Sequence, residues 1–247
     1  MGKGLRAIVL AAGKGTRLNS EESDLPKVMR LACGKPLLSY VLDALSFLKS
    51  GDITIVVGYK KEAITKTYKD YLFAIQKEQL GTGHAVMAAE DVLKGYDGDV
   101  LICLGDMPLI KQDTYESLIR EHVEKGYECT ILTGTSQLEM EFGKVIRDTD
   151  GKFSRIVEHR DCTREERLIT ELNSGVYVFK SQPLLQALGE LHTNNDQHEY
   201  YLTDVPAILM SKGAAVGLLM RELNNEIIGV NTKEELAYVE KTLSGSD

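Results

Sequence analysis

The stretch Ala7-Ile-Val-Leu-Ala-Ala-Gly-Lys-Gly-Thr-Arg-Leu18 places a wholly apolar run directly before a glycine-rich turn. The run, Ala7–Ala11, shows no polar alternation, which is typical of a central strand that is covered on both faces. Glycine adopts positive φ and allows close approach, so Gly13 and Gly15 suit a tight turn whose successive N–H groups form a concavity for anions. These residues predict a buried strand that opens into a candidate anion-binding loop.

Strand and helix patterns alternate along the rest of the chain. Short apolar runs predict further strands at Ile53–Val57, Phe73–Gln76, Val100–Leu104, Val176–Phe179 and Ala214–Met220. Helical spacing of apolar residues predicts helices at Pro36–Leu48, Lys60–Tyr71, Thr82–Leu93, Thr114–Lys125, Tyr201–Ser211 and Lys233–Leu243. Asp150-Gly151 is a hairpin signal between Lys144–Arg147 and Phe153–Glu158. The order predicts an α/β fold with a mostly parallel sheet, helices on both faces and a smaller antiparallel hairpin.

Length and composition limit the classes of function. The chain has 247 residues, 43% of them hydrophobic, and no internal repeat or linker, which favours a single domain. Within this domain we expect three parts without sharp boundaries, at residues 1–135, 136–231 and 232–247. The net charge of −8 argues against nucleic acid as a partner, and no apolar run is long enough to predict a membrane span. Four cysteines without metal-ligand spacing predict buried free thiols in a reducing compartment, so we expect a cytoplasmic protein.

Cationic residues at definite spacing accompany the glycine-rich turn. Arg17 lies at its end, and Lys27 follows in the tripeptide Leu-Pro-Lys. The loop lacks the Walker A pattern, and Leu18 stands where a dinucleotide-binding loop has its third glycine. A lone Gly-x-Gly turn is as often structural as phosphate-binding. The added Thr-Arg and Pro-Lys pairs favour a polyphosphate site.

Further motifs follow in order across nearly the whole chain. They are Gln76-Lys-Glu-Gln-Leu-Gly-Thr-Gly-His-Ala85, Gly105-Asp106-Met-Pro-Leu109, Gly143-Lys-Val145, Ile156-Val-Glu-His-Arg-Asp161, Glu171-Leu-Asn-Ser-Gly-Val176, Glu199-Tyr-Tyr-Leu-Thr-Asp204 and Gly229-Val-Asn231. Together with the loop, these motifs resemble the nucleoside-diphosphate-sugar pyrophosphorylase family, and within it the uridyltransferase domain of bifunctional GlmU. The resemblance implies a Rossmann-like (GT-A-type) nucleotidyltransferase fold with a nucleotide-binding front half and a sugar-binding back half.

The same resemblance implies an enzyme that joins UTP and N-acetylglucosamine-1-phosphate to give UDP-N-acetylglucosamine and pyrophosphate, with Mg²⁺ as cofactor. Its catalytic residues would be Arg17, Lys27 and Asp106, and its metal ligands Asp106 and Asn231. The nucleotide-binding residues that it implies are Leu10, Ala11, Ala12, Gly13, Gly15, Gln76, Gly81, Thr82 and Gly105. The sugar-binding residues are Gly143, Glu158 and Asn173. We expect only small-molecule partners, and a monomer or weak oligomer.

The two implied metal ligands have other interpretations. Asp106 ends an apolar strand at the edge where open α/β sheets place ligands, and Mg²⁺ takes few protein oxygens beside phosphate and water. Taken alone, Asp106 is interpreted equally well as a turn residue at the end of a strand. Asn231 by itself is better interpreted as a helix N-cap before Lys233–Leu243. Thr82 is interpreted equally well as a helix cap and as a binding residue, and the two roles are compatible.

Residue chemistry supports part of the implied assignment. A side-chain amide both donates and accepts hydrogen bonds, so Gln76 suits uracil. A Glu on a strand is usually a solvated residue, so the sugar role of Glu158 depends on the resemblance. The attacking phosphate is already an anion and needs no general base, so we expect no catalytic role for the five histidines.

The chain departs from the GlmU pattern at Leu104, where Tyr is common, and at Ser174, where Thr is common, which leaves the preferred sugar open. No hexapeptide repeats follow before Asp247, so we expect no acetyltransferase domain. One alternative is the same chemistry on another sugar-1-phosphate, such as glucose-1-phosphate, or on another nucleoside triphosphate. Another is a non-catalytic nucleotide-sugar-binding protein. A Rossmann-type oxidoreductase is more distant, because the third glycine is missing.

Overall fold

The computed structural model describes residues 4–15, 25–135 and 141–245. Within these ranges the chain alternates between strands and helices. None of the helices in this part of the chain is long and apolar enough to cross a membrane.

The secondary structure elements of these residues have the following bounds. The strands are β1 (Leu5–Ala11), β2 (Leu31–Ala32), β3 (Lys35–Pro36), β4 (Ile53–Val57), β5 (Leu72–Ile75), β6 (Asp99–Leu104), β7 (Cys129–Thr135), β8 (Lys144–Arg147), β9 (Phe153–Val157), β10 (Leu172–Lys180) and β11 (Val216–Glu222). The helices are α1 (Leu37–Ala44), α2 (Lys61–Thr67), α3 (Thr82–Met87), α4 (Glu90–Leu93), α5 (Gln112–Lys125), α6 (Ser181–Leu188), α7 (Val205–Ser211) and α8 (Lys233–Ser244).

The central sheet contains nine strands of the described chain, and its main path runs β11-β7-β10-β6-β1-β4-β5. β1 lies parallel to both β4 and β6, and β5 is parallel to β4. β11 is parallel to β7. β10 runs antiparallel between β6 and β7. The predicted mostly parallel α/β sheet is therefore confirmed, with one reversed strand, β10, in its main path.

β1 is buried on both faces, as its unbroken apolar run predicts. Ala7, Val9 and Ala11 pack with residues of α1, α2 and α5. Ile8 and Leu10 belong to the other core, with residues of α3, α6 and α7. Each large aliphatic side chain that is fully buried in this way stabilises the fold by about 1.5–3 kcal/mol relative to an exposed one. Helices on both faces of the sheet are thus confirmed.

The predicted hairpin is present as β8 and β9, which pair antiparallel. Its turn is closed by the Asp148 N–H, which donates to the Lys152 carbonyl at 2.9 Å. Gly151 supplies a φ of +77° within the turn. The hairpin joins the main sheet through Leu172 of β10, which pairs with Lys144.

Several helices are shorter than the sequence patterns predict. α2 begins only at Lys61, because Lys60 is left-handed with φ 46°. The predicted helix at Thr82–Leu93 is divided into α3 and α4, because Ala89 has φ −96° and ψ 9°. The predicted helix at Tyr201–Ser211 begins with a 3-10 turn, and α7 follows with a proline in its first turn.

Three features were not predicted: β7, α6 and the small β2–β3 hairpin. β7 carries two threonines, Thr130 and Thr133, that are fully buried. Thr130 is held by the His122 ring, whose Nδ1 lies 2.9 Å from its hydroxyl. Thr133 donates to the Glu171 carboxylate at 2.8 Å. These hydrogen bonds remove most of the cost of burying the two hydroxyls.

The cysteines are free, as predicted, and three of them are buried. Burial raises the pKa of Cys103 to about 12, so this thiol stays protonated. The prediction is wrong for Cys33, which is exposed and has φ 50°. Its tight turn between β2 and β3 keeps the side chain out of the core.

Candidate active site

One cleft lies at the carboxyl ends of β1, β5 and β6 and has a volume of about 290 Å³. Parallel strands end at one edge of a sheet, which is where open α/β folds hold their ligands. Most residues that the resemblance assigns to the nucleotide line this cleft. The lining residues are Leu10, Ala11, Ala12, Gly13, Lys27, Val28, Gln76, Gln79, Gly81, Thr82, Ala85, Leu104, Asp106 and Glu199.

Asp106 is brought to this cleft by a close contact between strand ends. The Gly105 N–H donates to the Leu10 carbonyl at 2.9 Å. A Cβ atom on Gly105 would lie 3.2 Å from that carbonyl oxygen and 3.3 Å from Val28, so glycine permits the approach. The Val230 N–H then donates to the Asp106 carbonyl at 2.9 Å. This bond brings the Gly-Val-Asn segment beside the acidic strand end.

The Lys27 ammonium links Asp106 to Asn231. Its Nζ donates to the Asp106 carboxylate and, at 2.9 Å, to the Asn231 Oδ1. Lys27 begins a short 3-10 turn whose next two residues are buried in the core, which anchors the lysine backbone. The Lys27 and Asp106 side chains are only 15% and 14% exposed, so water and salt screen this ion pair less than a surface pair.

The helix-cap interpretation of Asn231 is wrong. Thr232 is the N-cap of α8, and it forms a capping box with Glu235. The Thr232 hydroxyl accepts from the Glu235 N–H at 3.1 Å, and the Glu235 carboxylate accepts from the Thr232 N–H at 2.8 Å. The Asn231 Nδ2 donates to the Gly229 carbonyl at 3.1 Å, so the amide is oriented with its oxygen toward Lys27.

Gln76 directly follows β5 and is 4% exposed. Its backbone N–H continues the strand by donating to the Val57 carbonyl at 2.8 Å. Its side-chain Nε2 donates to the Gly81 carbonyl at 3.1 Å and lies 3.1 Å from the His84 Nδ1. The amide therefore lines the cleft in an orientation that the protein holds from two sides.

The glycines after Gln76 allow two distant segments to touch. Gly81 has φ 106° and ψ 175°, and a Cβ atom there would lie 2.6 Å from the Tyr200 carbonyl oxygen. The Gly83 N–H donates to this same oxygen at 2.8 Å, and the Tyr200 N–H donates to the Leu80 carbonyl at 2.8 Å. The loop before α3 is thus held against the segment that precedes α7.

A second cleft of about 320 Å³ adjoins the first. Its lining includes all three predicted sugar-binding residues. The lining residues are Thr82, Leu104, Glu141, Phe142, Gly143, Glu158, Asn173, Ser174, Gly175, Tyr177, Leu202, Thr203 and Asn231. Thr82 and Leu104 line both clefts. Lys27 and Asp106 line the first cleft and their partner Asn231 lines the second, so this group lies where the clefts meet.

Thr82 contributes to the shared wall rather than to a helix cap. It is the first residue of α3, whose N-cap is Gly81. Its hydroxyl oxygen accepts from the Leu202 N–H at 3.1 Å. The cap interpretation is therefore wrong, and the hydroxyl hydrogen is available for another acceptor.

Glu158 carries an unusual charge environment in the second cleft. Burial raises the pKa of its carboxyl group, while a hydrogen bond from Thr203 lowers it and the nearby Asp161 and Asp204 raise it further. The Thr203 hydroxyl donates to Glu158 Oε1 at 3.0 Å. A Cβ atom on Gly143 would lie 3.6 Å from Glu158 Oε2, so the glycine leaves space beside this oxygen.

Asn173 is 5% exposed and is held by its own strand. Its Nδ2 donates to the Tyr177 hydroxyl at 2.8 Å, and its Oδ1 accepts from the Gly175 N–H at 3.2 Å. Gly175 has φ +77°, where the pairing of β10 with β7 is interrupted. Next to this irregularity in β10, the Asn173 amide lies in the wall of the second cleft.

Some predicted residues lie elsewhere. Arg17 lies outside the described residues. Gly15 has φ +65°, as a tight turn requires, but Gly13 is not left-handed. Gly15 and Gly105 are not among the described residues that line the two clefts. Gly105 instead allows the close contact of its strand end with β1. Sequence reasoning gave no role to several lining residues that belong to the quoted motifs or flank them, namely Gln79, Ala85, Glu199, Phe142, Leu202 and Thr203.

The oxygens of Asp106 and Asn231 fit a magnesium ion. Both lie within hydrogen-bond reach of one Lys27 Nζ, so they converge on a single region. One carboxylate and one amide oxygen suit Mg²⁺, which completes its coordination with phosphate oxygens and water. In the ranges that the structure covers, no group of three or more His, Cys, Asp or Glu side chains could hold a metal.

Comparison with protein families shows the class of protein to which the chain belongs. The profile of the nucleotidyl transferase family matches residues 6–241, and the chain belongs to that family. Within the family, it is similar to the bifunctional protein GlmU of Clostridium acetobutylicum, with 43% identity over 239 residues, 96% of this chain and 52% of that protein. The GlmU of Clostridium novyi is 45% identical over 240 residues, with the same two shares covered. The chain thus spans about half the length of the curated relatives it matches.

The fold also has a counterpart among solved structures. A putative glucose-1-phosphate thymidylyltransferase from Bacillus anthracis, in complex with a sucrose, superposes with a TM-score of 0.74. The match covers 99% of this chain and 96% of that one at 16% sequence identity. At this identity the comparison shows that the fold is shared.

Proposed function

We propose that the protein is a magnesium-dependent uridylyltransferase that forms UDP-N-acetylglucosamine and pyrophosphate from UTP and N-acetylglucosamine-1-phosphate. The observation that carries the proposal is the contact between Lys27, Asp106 and Asn231 at the junction of two clefts. Two clefts with a common wall at Thr82 and Leu104 suit two substrates that must react with each other. The similarity to GlmU proteins supports the choice of these substrates.

The proposed reaction is an in-line displacement at phosphorus. An oxygen of the sugar phosphate forms a bond to the α-phosphorus of UTP, and the bond from that phosphorus to the bridging oxygen breaks, with pyrophosphate taking the electron pair. The nucleophile is already charged, so the protein has to position two polyanions and stabilise the charge that develops between them. When bound, Mg²⁺ would neutralise part of the phosphate charge.

Lys27 provides the positive charge that this step needs. Its ammonium lies between a residue of the nucleotide cleft and a residue of the sugar cleft, so it can reach phosphate groups delivered from either side. Its buried 3-10 turn fixes the backbone in advance. Charge that is positioned before the reaction costs little reorganisation, which makes such groups effective in transition-state stabilisation.

Gln76 would select the base. Its side-chain amide nitrogen donates to the Gly81 carbonyl and also contacts the His84 ring, whose Nδ1 can accept the second hydrogen. The amide oxygen is then the group that remains for the ligand, and it accepts a hydrogen bond. The N3–H of uracil is a donor, whereas N3 of cytosine is an acceptor. This refines the expectation that Gln76 both donates to and accepts from uracil.

Glu158 and Asn173 would bind the sugar in the second cleft. The Glu158 carboxylate has an oxygen beside the space that Gly143 leaves open, and carboxylates accept from hydroxyls. The Asn173 amide is held by Tyr177 and Gly175, and its second Nδ2 hydrogen can bind a hydroxyl or acetamido oxygen. Preformed polar groups of this kind favour one arrangement of hydroxyls over another.

A substrate panel tests the proposal. The protein is incubated with Mg²⁺, each of five nucleoside triphosphates (UTP, CTP, dTTP, ATP and GTP) and either N-acetylglucosamine-1-phosphate or glucose-1-phosphate, and pyrophosphate release and product mass are measured. We expect the highest kcat/KM with UTP and N-acetylglucosamine-1-phosphate. Preference for another pair would overturn the substrate assignment. No pyrophosphate from any pair would overturn the enzymatic assignment and favour a nucleotide-sugar-binding protein.

A further inference from the structure

The orientation of the Gln76 amide follows from the chemistry of its neighbours. The Gly81 carbonyl oxygen has no hydrogen and can only accept a hydrogen bond. The amide atom 3.1 Å from it must therefore be the NH₂ nitrogen, Nε2. This conclusion does not depend on which bases the cleft takes.

The tautomer of His84 follows in turn. The same Nε2 lies 3.1 Å from the His84 Nδ1. An amide nitrogen donates and does not accept, so Nδ1 must be the unprotonated, accepting nitrogen of a neutral ring. His84 therefore carries its hydrogen on the other ring nitrogen.

The His84 ring is itself held in place. It lies on α3 and stacks on the Tyr200 ring, with 6.1 Å between the ring centroids and 28° between the planes. The Tyr200 backbone is fixed by its bonds to Leu80 and Gly83. On its other side, His84 lines a separate cleft of about 420 Å³ together with Met87. The ring thus has a fixed position between that cleft and Gln76.

We propose that His84 is a positioning residue for base selection. The Gly81 carbonyl accepts one hydrogen of the Gln76 amide and the His84 Nδ1 accepts the other. Only the amide oxygen is then offered to the base. This proposal rests on the proposed function, in which Gln76 contacts the base. It gives His84 no part in phosphoryl transfer.

The proposal predicts a specific pattern of discrimination. Uracil and thymine both carry a donor at N3, and cytosine carries an acceptor there. An amide that can expose its NH₂ group binds cytosine better and uracil and thymine worse. Loss of the His84 acceptor should therefore change the ratio of UTP to CTP and leave the ratio of UTP to dTTP as it was. A general disturbance of the fold would not separate these two ratios.

The test compares two substitutions at one position. His84→Leu removes both ring nitrogens, whereas His84→Asn retains a side-chain oxygen that can accept near the position of Nδ1. Met87→Leu is the matched control, because it lies on the same helix and lines the same separate cleft. For each protein, kcat and KM are measured with UTP, CTP and dTTP at a constant concentration of sugar phosphate, and the melting temperature is recorded.

We expect His84→Leu to lower the UTP-to-CTP ratio of kcat/KM by about tenfold, as expected when a buried amide hydrogen loses its partner. Most of the change should be in KM, and the UTP-to-dTTP ratio should stay constant. His84→Asn should restore most of the UTP preference, and Met87→Leu should behave as wild type. An unchanged UTP-to-CTP ratio in His84→Leu, or no restoration by His84→Asn, would overturn the role of His84.

A measurement on the wild-type protein covers the case in which His84→Leu does not fold. Nitrogen-15 spectra of the imidazole rings distinguish the two neutral tautomers. We expect an unprotonated Nδ1 in His84, and a hydrogen on Nδ1 would contradict the inference. If the wild-type enzyme does not prefer UTP over CTP, the proposed function fails. If it does prefer UTP and the His84 variants do not differ, the proposed function stands and only the role of His84 is lost.

Discussion

The Lys27 ammonium lies 2.9 Å from the Asn231 Oδ1, although 204 positions separate these two residues in the chain. The same ammonium is bonded to the Asp106 carboxylate. A cation thus stands between two oxygens that would also suit a divalent metal. Lys27 is therefore expected to have two separable effects, one on the reaction and one on metal affinity.

Replacing Lys27 by Ala should lower kcat by about 10²–10³-fold, as is typical when one preorganised stabilising group is removed from a transition state. The KM for UTP should change much less, because the charge acts mainly on the transition state. Steady-state pyrophosphate release measures both constants. Lys212→Ala is the control, since Lys212 forms an exposed pair with Glu190 and neither residue lines either of the two clefts. Equal rates in the wild type and Lys27→Ala would contradict the proposed mechanism.

The same substitution should have the opposite effect on the metal. Without nucleotide, Lys27→Ala should bind Mn²⁺ about tenfold more tightly, because a neighbouring positive charge opposes a cation by on the order of 1 kcal/mol even in water. Asn231→Ala should bind it more weakly, because an oxygen ligand is lost. Mn²⁺ titration followed by electron paramagnetic resonance measures both affinities.

A control for this titration is Asn225→Ala, which removes an exposed amide that is bonded to Tyr238. It should bind Mn²⁺ as the wild type does. If Lys27→Ala and Asn231→Ala change the affinity in the same direction, the two oxygens do not form the metal position.

Glu158, which we propose binds the sugar, should lower the free energy of unfolding at neutral pH. Burial raises its pKa above the ordinary value, so the folded state holds the proton more tightly than the unfolded chain does. The free energy of unfolding then falls as the pH rises from the unfolded pKa through the higher folded pKa. Glu158→Gln removes this dependence and should be more stable than the wild type at neutral pH, with the advantage shrinking at acid pH.

The substitution should also raise the KM for the sugar phosphate by about tenfold, the usual effect of losing one hydrogen bond to a charged acceptor. Urea midpoints at several pH values measure the stability difference. Glu116→Gln on α5 is the control, since Glu116 accepts a hydrogen bond from a neighbouring exposed side chain, Gln112. A Glu158→Gln protein that gains no stability at neutral pH would show that the buried carboxylate has no such cost.

Gly81→Ala should destabilise the fold by about 3 kcal/mol or more, because the backbone conformation suits only glycine and the new methyl group meets a carbonyl oxygen. That oxygen belongs to Tyr200, at 2.6 Å from the added Cβ. Gly213→Ala is a matched control with φ +81° and nothing within 4 Å of the added Cβ, so its cost should be only the left-handed strain of about 1–2 kcal/mol. Denaturant unfolding measures the free energy of unfolding of both variants. Similar decreases in both would show that the close contact with Tyr200 adds nothing to the destabilisation.

The local patterns of the sequence predict much of the fold. The apolar run of β1, the run that ends at Gly105-Asp106 and the Asp150-Gly151 turn each depend on neighbouring residues, and each element is present. The structure also gathers most of the residues assigned by resemblance into two adjoining clefts. Their roles in binding remain predictions, and Arg17 lies outside the described residues.

Other features are not contained in local patterns. The buried threonines of β7 depend on His122 and Glu171, which lie outside the strand and satisfy the two hydroxyl groups. The N-cap of α8 is Thr232, one residue after Asn231, and local sequence does not distinguish the two because Asn and Thr both suit that position. The exposure of Cys33 likewise depends on a turn that the sequence pattern did not predict.

By itself, the sequence determined most of the strands and helices and the chemistry available at several strand ends. It could do so because burial on one or both faces of an element gives its residues a periodic apolar pattern. Only the tertiary structure decided which of these groups meet. The reversed β10, the approach of Gly81 to Tyr200 and the contact of Lys27 with Asn231 all depend on the sheet order and on crossovers that join distant segments. Such contacts follow from packing of the whole chain, and no short stretch of it encodes them.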